Sequence, residues 1–378
     1  MRFVILILGL ICALLAGAAD ALTWHILPDG LGDAPTIQAG IDSAAAGDTV
    51  LVGCGAYTEH DITITTGGLV VRSESGHPDC ATIDAELQGR VMYCLGLDAS
   101  TRIEGLTLTG GLSDRGGGIG FSSASPTITN CRFIGNQSTF VGGGVDCRSS
   151  SSPTISLCHF IENTAVWDGG GLYCLDSSSP TLNDCVFIKN SSGHSGGGMR
   201  CENSTATVVT NCTFSENVSD FGGGFICYSS AAPALANCTF SANTAHADGG
   251  GVYCGGSSTI AMSNVIVVFG SAGVGVFCEG NSTAELSCCD LYENDGGDWV
   301  GEITGQNGIN GNFSADPQFC SSQPDEDRHW FLQSDSPCAP GNHPQGANCS
   351  VISAWDVGCG MTPTKRSTWG GIKTRFRD

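Results

Sequence analysis

The chain has 378 residues, 55 of them Gly and 21 Cys, and a formal charge of −22. So much Gly with so few Lys, Glu and Leu argues against a helical protein. So many cysteines argue against a reducing cytosol, and neither a C-x-x-C nor a finger-like His spacing supplies a zinc site instead. An acidic body is a poor surface for phosphate, so nucleic acid is not an expected partner; solubility is the reading given to the charge.

Arg2 precedes an apolar run, Phe3 to Leu15, that is too short to cross a bilayer. Small-residue cleavage patterns follow at Ala16-Gly17-Ala18 and Ala19-Asp20-Ala21. Residues 1–21 therefore read as a secretory signal peptide. Cleavage removes Cys12 and leaves the other cysteines in an oxidising setting. No later apolar stretch is long enough for a transmembrane helix. The expectation is a protein secreted to, or held at, a bacterial cell surface, with no membrane span after cleavage.

Residues 22–104 read as an N-terminal cap followed by irregular first coils. Ile37, Ile41 and Ala44 or Ala45 lie at helical spacing, Gly47-Asp48 would stop the helix, and Thr49–Val52 follows as a buried strand. A short capping helix of this kind can cover the open end of a stack. The run TIQAGIDSAAAGDTVLVGCGAY resembles the N-terminal cap of secreted pectin-lyase-like right-handed β-helix proteins. That resemblance implies an all-β, right-handed parallel β-helix.

From 105 to 294 the chain repeats itself. PTITNCRFIGNQSTFVGGGVDCRSSSS from Pro126 returns from Pro153 and again from Pro180, with Gly triplets beginning at 142, 169, 196, 222 and 249. A period of 26–27 residues marks stacked supersecondary units. Each unit reads as three strands. After the triplet, Val145/Cys147 and their equivalents face the core, while Asp146, Tyr173, Arg200, Ile226 and Tyr253 face out. The third strand carries Cys131/Phe133, Cys158/Phe160, Cys185/Phe187, Cys212/Phe214 and Cys238/Phe240 inward. Ile128 is an odd offset from Cys131, so a bend must separate the second and third strands. Roughly eight coils about 4.8 Å apart give a rod of about 40 Å. Asn136, Asn163, Asn190, Asn217, Asn243 and Asn294 recur where the third strand ends and read as a hydrogen-bonded ladder, with Asn also tolerating a left-handed backbone. The paired FIGN/FIEN/FIKN and GGGV/GGGL/GGGM motifs resemble the repeats of polymorphic outer-membrane proteins, which implies a β-helical passenger.

The cysteines form two columns. Strand spacing exceeds the Cβ separation a disulfide prefers, so bridges up a column are disfavoured and bridges across the core are expected: Cys131–Cys147, Cys158–Cys174, Cys185–Cys201, Cys212–Cys227 and Cys238–Cys254, with Cys80–Cys94 earlier. The alternatives are the reverse pairing across the core (Cys147–Cys158, Cys174–Cys185 and so on), which strands Cys94, Cys131 and Cys254, and stacked buried thiols serving as small core residues. Residues 295–360, with Cys320, Cys338, Cys349 and Cys359, read as a disulfide-tied C-terminal cap, and 361–378 as a basic tail.

No catalytic set is visible. Outward positions offer no cluster of acid/base groups, Asp146 and Arg200 are two coils apart, and Gly193-His194-Ser195 lacks carboxylate neighbours. Phe140, Trp167, His194 and Phe221 recur just before the triplets and are the candidate ligand-binding stripe, for an extracellular glycan or a host or neighbouring cell surface; the alternative is that the rings stiffen the turn by packing on one another. Asp168, Asp220 and Asp248 are candidate calcium ligands, but not in the nonapeptide pattern of calcium β-rolls, and no metal or other cofactor is expected. The function expected is a non-catalytic, adhesin-like or structural module; the alternative is a carbohydrate-active lyase or hydrolase.

Overall fold

The computed structural model describes residues 21–320 and 330–359. The expected basic tail, and the expected signal peptide except Ala21, lie outside the described residues. The described chain winds as a right-handed parallel β-helix, each strand pairing in parallel with its counterparts one coil before and after. Three long sheets run its length, with eleven, ten and nine strands. Their repeating strands are typified by Thr154–Ser156, His159–Ile161 and Leu172–Cys174 respectively. The ten intervals of the eleven-stranded sheet, at about 4.8 Å each, make the rod nearer 50 Å than 40 Å. A fourth sheet, of six short strands such as Gln137–Val141, Thr164–Ala165 and Val218–Phe221, lies between the Asn ladder and the triplet. Its two-residue members are too short to show a period of two in sequence.

The predicted inward positions fill the core. Ile128, Ile155, Leu182 and Val209 line the eleven-stranded sheet, and Val145, Leu172, Met199 and Phe225 the nine-stranded one, all fully buried. Phe133, Phe160, Phe187, Phe214 and Phe240 stack ring on ring, with centroids 4.3–4.9 Å apart and nearly parallel planes. Each buried ring contributes about 2–3 kcal/mol by leaving water, and the repeat lets every ring use both faces. The required bend is a left-handed residue between the second and third strands: Asn130, Leu157, Asp184, Asn211 and Asn237 all have φ of 50–55°.

The Asn ladder is present and bonded from Asn136 to Asn243; Asn294 stands apart, since Gly270, which has no side-chain amide, takes the position between, and Asn294 bonds instead to the Gly270 N–H, the Val267 carbonyl and Asp298. Asn163 Nδ2 donates to Asn190 Oδ1 at 3.0 Å and to the Phe133 carbonyl at 2.9 Å, while Asn163 Oδ1 accepts from the backbone N–H of Asn136. The left-handed residue at this corner is the one before each Asn (Gly135, Glu162, Lys189, Glu216, Ala242), so Asn is needed for its amide and not for its φ. Within the triplet the first Gly takes the positive φ (65° at Gly169). The second is demanded by crowding: a Cβ on Gly170 would lie 2.4 Å from the Ser191 carbonyl oxygen and 2.5 Å from that of Gly197.

Both ends of the stack are closed. The helix Ile37–Ser43 buries Ile37 and Ile41, and Thr36 caps it by accepting from the Ala39 N–H at 3.0 Å. Glu59 accepts from the Ile37 and Gln38 N–H groups, tying the helix to the first coil. At the far end the 3₁₀ segment Gly301–Gln306 buries Ile303 against the core. The chain then turns back along the outside of the ten-stranded sheet. Cys320, Trp330, Phe331 and Trp355 cover Ile161, Val186 and Ile188, and Trp355 Nε1 donates to Thr213 Oγ1 at 2.7 Å. Outward positions on that sheet, among them Val186, Thr213 and Thr239, are therefore buried.

The cysteine pairing differs from the expected one. Cys80 is bonded to Cys54, one coil earlier, and not to Cys94. The pairs Cys131–Cys147, Cys158–Cys174, Cys185–Cys201, Cys212–Cys227 and Cys238–Cys254 are not formed; all ten residues are buried thiols. The two columns turn toward opposite ends of the eleven-stranded sheet. Cys158 Sγ contacts the Ser156 and Ile128 carbonyls at its exit, and Cys201 Sγ contacts Thr207 Oγ1 at its entry. Cys288–Cys349 and Cys320–Cys359 tie the returning segment, while Cys338 keeps its thiol and donates to Asp290 Oδ2 at 3.2 Å.

Candidate functional site

With one long face covered by the returning segment, the side bearing the short fourth sheet and the triplets carries the exposed rings Phe140 and Trp167. All four predicted ring residues meet there. Phe140 lies 6.4 Å from Trp167, Trp167 lies 6.3 Å from His194, and His194 lies 5.7 Å from Phe221, with successive planes tilted by 54–60°. The stripe continues past them. Phe221 meets Tyr253 at 5.6 Å and Tyr253 meets Phe277 at 5.2 Å, while the Arg115 guanidinium sits over Phe140 at 5.4 Å. Asp248 stands in register with Phe221, so the pre-triplet turn offers no ring in that coil and the outward residue of the nine-stranded sheet takes over. Tyr253 and Phe277 are register partners, a signal present in the repeat alignment but obscured by the change of sheet.

The strip is open at one end, half-buried at Phe221 and Phe277, and buried at Tyr253. Trp167 is 51% exposed and Phe140 43%. Tilted neighbours cover one another's edges and leave a corrugated apolar strip, which differs from the parallel, fully buried Phe stack of the core.

Beneath the middle of the strip lies a polar seam. Asp168 Oδ1 accepts from Ser195 Oγ at 2.6 Å, contacts His194 Nδ1 at 3.0 Å and accepts from Arg200 Nη1 at 3.3 Å. Arg200 also donates to Ser195 Oγ and through Nε to Glu202 Oε2 at 3.0 Å. Tyr173 Oη donates to Glu202 Oε1 at 2.5 Å. The reading that His194 has no carboxylate neighbour is therefore corrected: its partner is Asp168, 26 residues back in sequence but one coil away in space. Asp146 pairs with Arg148 through two bonds of 2.6 and 2.7 Å, and not with Arg200. The outward residues Asp146, Tyr173, Arg200 and Tyr253 are all more than nine-tenths buried, since the triplet turn closes over them; a Cβ on Gly169 would lie 2.7 Å from that of Tyr173.

The seam constrains the chemistry. Burial, reinforced by the hydrogen bond and charge of Glu202, pushes the Tyr173 phenol far up, so it stays protonated and is no base. Burial lowers the pKa of Arg200, but the charges of Asp168 and Glu202 outweigh it and hold the guanidinium above its ordinary value. It is a permanent cation already claimed by protein carboxylates. The candidate calcium ligands do not converge: Asp168 contacts Arg200, and Asp248 lies three coils further along the register, about 14 Å away. Among the described residues no group of three or more His, Cys, Asp or Glu is arranged to hold a metal ion. No helix among them is long and apolar enough to cross a membrane.

Comparison with known proteins agrees with the architecture. No curated protein matches the chain. Among solved structures, the chain is similar to pectate lyase Pel9A (12% identity, TM-score 0.48, covering 90% of this chain and 98% of that one). It is also similar to an alginate lyase from Paenibacillus sp. str. FPU-7 (16%, 0.42, 69% and 99%). A third is a mannuronic acid specific polysaccharide family 6 lyase from human gut microbiota (15%, 0.40, 72% and 74%). Likeness at this level transfers neither activity nor substrate. The family model described as "Right handed beta helix region" matches residues 68–240 and 192–314, more than half of the sequence. With its parallel coils, stacked Phe core and Asn ladder, the chain belongs to the right-handed β-helix family.

Proposed function

We propose that this protein is a secreted or cell-surface, adhesin-like module that binds an extended glycan along the ring strip without turning it over. The observation that carries the reading is the unbroken contact from Phe140 through Trp167, His194 and Phe221 to Tyr253 and Phe277, with its two largest exposed rings at one end. Sugar faces present C–H groups that dock on aromatic rings, and an apolar site fixed by a few polar groups is the usual form of a ligand site. The seam below, with both carboxylates committed to Arg200, supplies rigidity. Three disulfides support a location outside a reducing compartment.

The test is binding of the purified chain to a panel of polyuronates and neutral glycans, read by Trp fluorescence and pull-down. Trp167→Ala should weaken binding about tenfold or more at unchanged thermal stability. Failure to bind any of the panel, or equal binding by the variant, overturns the reading. A second reading, a carbohydrate-active enzyme, draws on the half-exposed His194 held by Asp168, a pair suited to general base work. Turnover of any panel member that is abolished in His194→Ala would favour it over the first.

A further inference from the structure

Of the fourteen free thiols among the described residues, eleven stand in two unbroken columns; Cys94 and Cys289 are set off from these by Phe121 and Val265, and Cys338 lies elsewhere. In the nine-stranded sheet, register places Cys147, Cys174, Cys201, Cys227, Cys254 and Cys278 in six consecutive coils. In the other column Cys131, Cys158, Cys185, Cys212 and Cys238 directly precede strands paired in register. Contacts within the second column are uneven. The Cys131 N–H lies 3.5 Å from Cys158 Sγ and the Cys185 N–H 3.4 Å from Cys212 Sγ, and each of these pairs is also joined thiol to thiol. Cys238 Sγ instead contacts the Val209 and Ala236 carbonyls. The column of five thus divides as two pairs and one single. The column of six closes completely in one way only; Cys174 meets both Cys147 and Cys201, Cys254 meets both Cys227 and Cys278, and Cys201 stands in register with Cys227.

The molecule already contains a bridge of this kind. Cys54 and Cys80 precede the paired strands Gly55–Thr58 and Ala81–Asp84, one coil apart, and are bonded with their Cα atoms 4.3 Å apart. Coil spacing of about 4.8 Å falls in the Cα range of ordinary disulfides, about 4.4–6.8 Å. An up-the-column bridge is therefore feasible in this fold, contrary to the expectation from strand spacing alone.

We propose that the thiol columns are sites of disulfide formation along the rod, giving Cys131–Cys158, Cys185–Cys212, Cys147–Cys174, Cys201–Cys227 and Cys254–Cys278 when the chain folds under oxidising conditions. The oxidant is a small-molecule disulfide. A cysteine thiolate attacks it to form a mixed disulfide and expels one small thiolate; the neighbouring cysteine then attacks, expelling the second. Two protein thiols lose two electrons and two protons, and the oxidant leaves as two thiols. Burial pushes the thiols of Cys158, Cys174 and Cys212 well up once a coil is closed, and that of Cys238 to about 12, so thiolates are scarce there. Exchange therefore belongs to the stage at which each coil docks on the last, and the product is a rod stapled coil to coil.

The experiment is refolding of the full chain from the reduced, denatured state with glutathione disulfide, then alkylation in denaturant and non-reducing peptide mapping. The expected result is five bridges beyond the three already present, each between adjacent coils of one column. Full alkylation of every column cysteine overturns the proposal, as do bridges joining the two columns. Cys174→Ala makes the distinction sharper. It should leave Cys147 alkylatable while Cys131–Cys158 persists; release of Cys158 instead means pairing across the core. The wild-type map decides even if the variant folds poorly.

Discussion

Asn190 shows how a single side chain divides structural from ligand-binding residues. Its amide donates to the Phe160 carbonyl and to Asn217 Oδ1, and its oxygen accepts from both the backbone and the side chain of Asn163. Asn190→Ala strands several buried polar groups at once, at about 1–3 kcal/mol each. A loss of about 3 kcal/mol or more is expected in urea unfolding. Phe140→Ala, on an exposed ring, should move stability by about 0.5 kcal/mol or less. Asp290 behaves differently again. It is fully buried, accepts from the Ala315 N–H at 3.0 Å and from the Cys338 thiol, and burial pushes its carboxyl up to about 7. A folded pKa raised above the unfolded value of about 3.9 means that the unfolded chain releases this proton first as pH rises. Its contribution is complete below about pH 4 and is lost progressively up to about pH 7, amounting to about 4 kcal/mol by 1.36 kcal/mol per unit. Asp290→Asn should flatten the fall in unfolding midpoint between pH 4 and pH 7.5. An unchanged slope in the variant would assign the pH dependence to other groups.

At the scale of the element, the Cys54–Cys80 bridge ties the first coil, which carries the capping helix, to the second. Closing a loop of this length is worth about 3 kcal/mol through the unfolded state. The double variant Cys54→Ser/Cys80→Ser should lose about that much, and proteolysis should then begin near the N-terminal coils. Cleavage that still starts elsewhere would show that the cap is held by Glu59 and apolar packing alone. The cap itself was legible, because Thr36, Ile37 and Ile41 carry helix signals that depend only on local spacing. So were the Phe stack, the Asn ladder and the triplet, since a constant period converts sequence position into spatial register. What was hidden lacked that conversion. The returning segment has no period, so nothing in Trp330 or Trp355 says which sheet it covers. His194 and Asp168 are neighbours only through stacking, at an offset one residue short of the period. The cysteine columns were visible, but spacing gives the height of a thiol along the rod and not the direction in which it points.

For the whole molecule, the consequence of stacking is that a binding strip has the same axis and the same repeat as the core. Six rings span five coil intervals, about 24 Å at about 4.8 Å each. Each ring is held by its own coil, so the strip is rigid before any ligand arrives, and little ordering cost is left for the protein side. A ligand that lies along it gains contacts ring by ring from Phe140 to Phe221, with the buried Tyr253 backing the strip beyond. Affinity should then climb with oligosaccharide length until the chain covers the strip and level off beyond that. The charges of the seam are already paired within the protein, Arg200 with Asp168 and Glu202, and the Arg115 guanidinium rests on the Phe140 ring, so binding of a neutral glycan should change little with salt. Titration calorimetry with a graded oligosaccharide series, at low and high salt, measures both. Trp167→Ala interrupts the strip near one end, and should shorten the length at which affinity levels off as well as lowering it. If affinity is the same for a disaccharide as for a chain of six or more units, the ligand occupies one ring and the strip is a stiffener; if it falls steeply with salt, the recognised groups are charges and not ring faces.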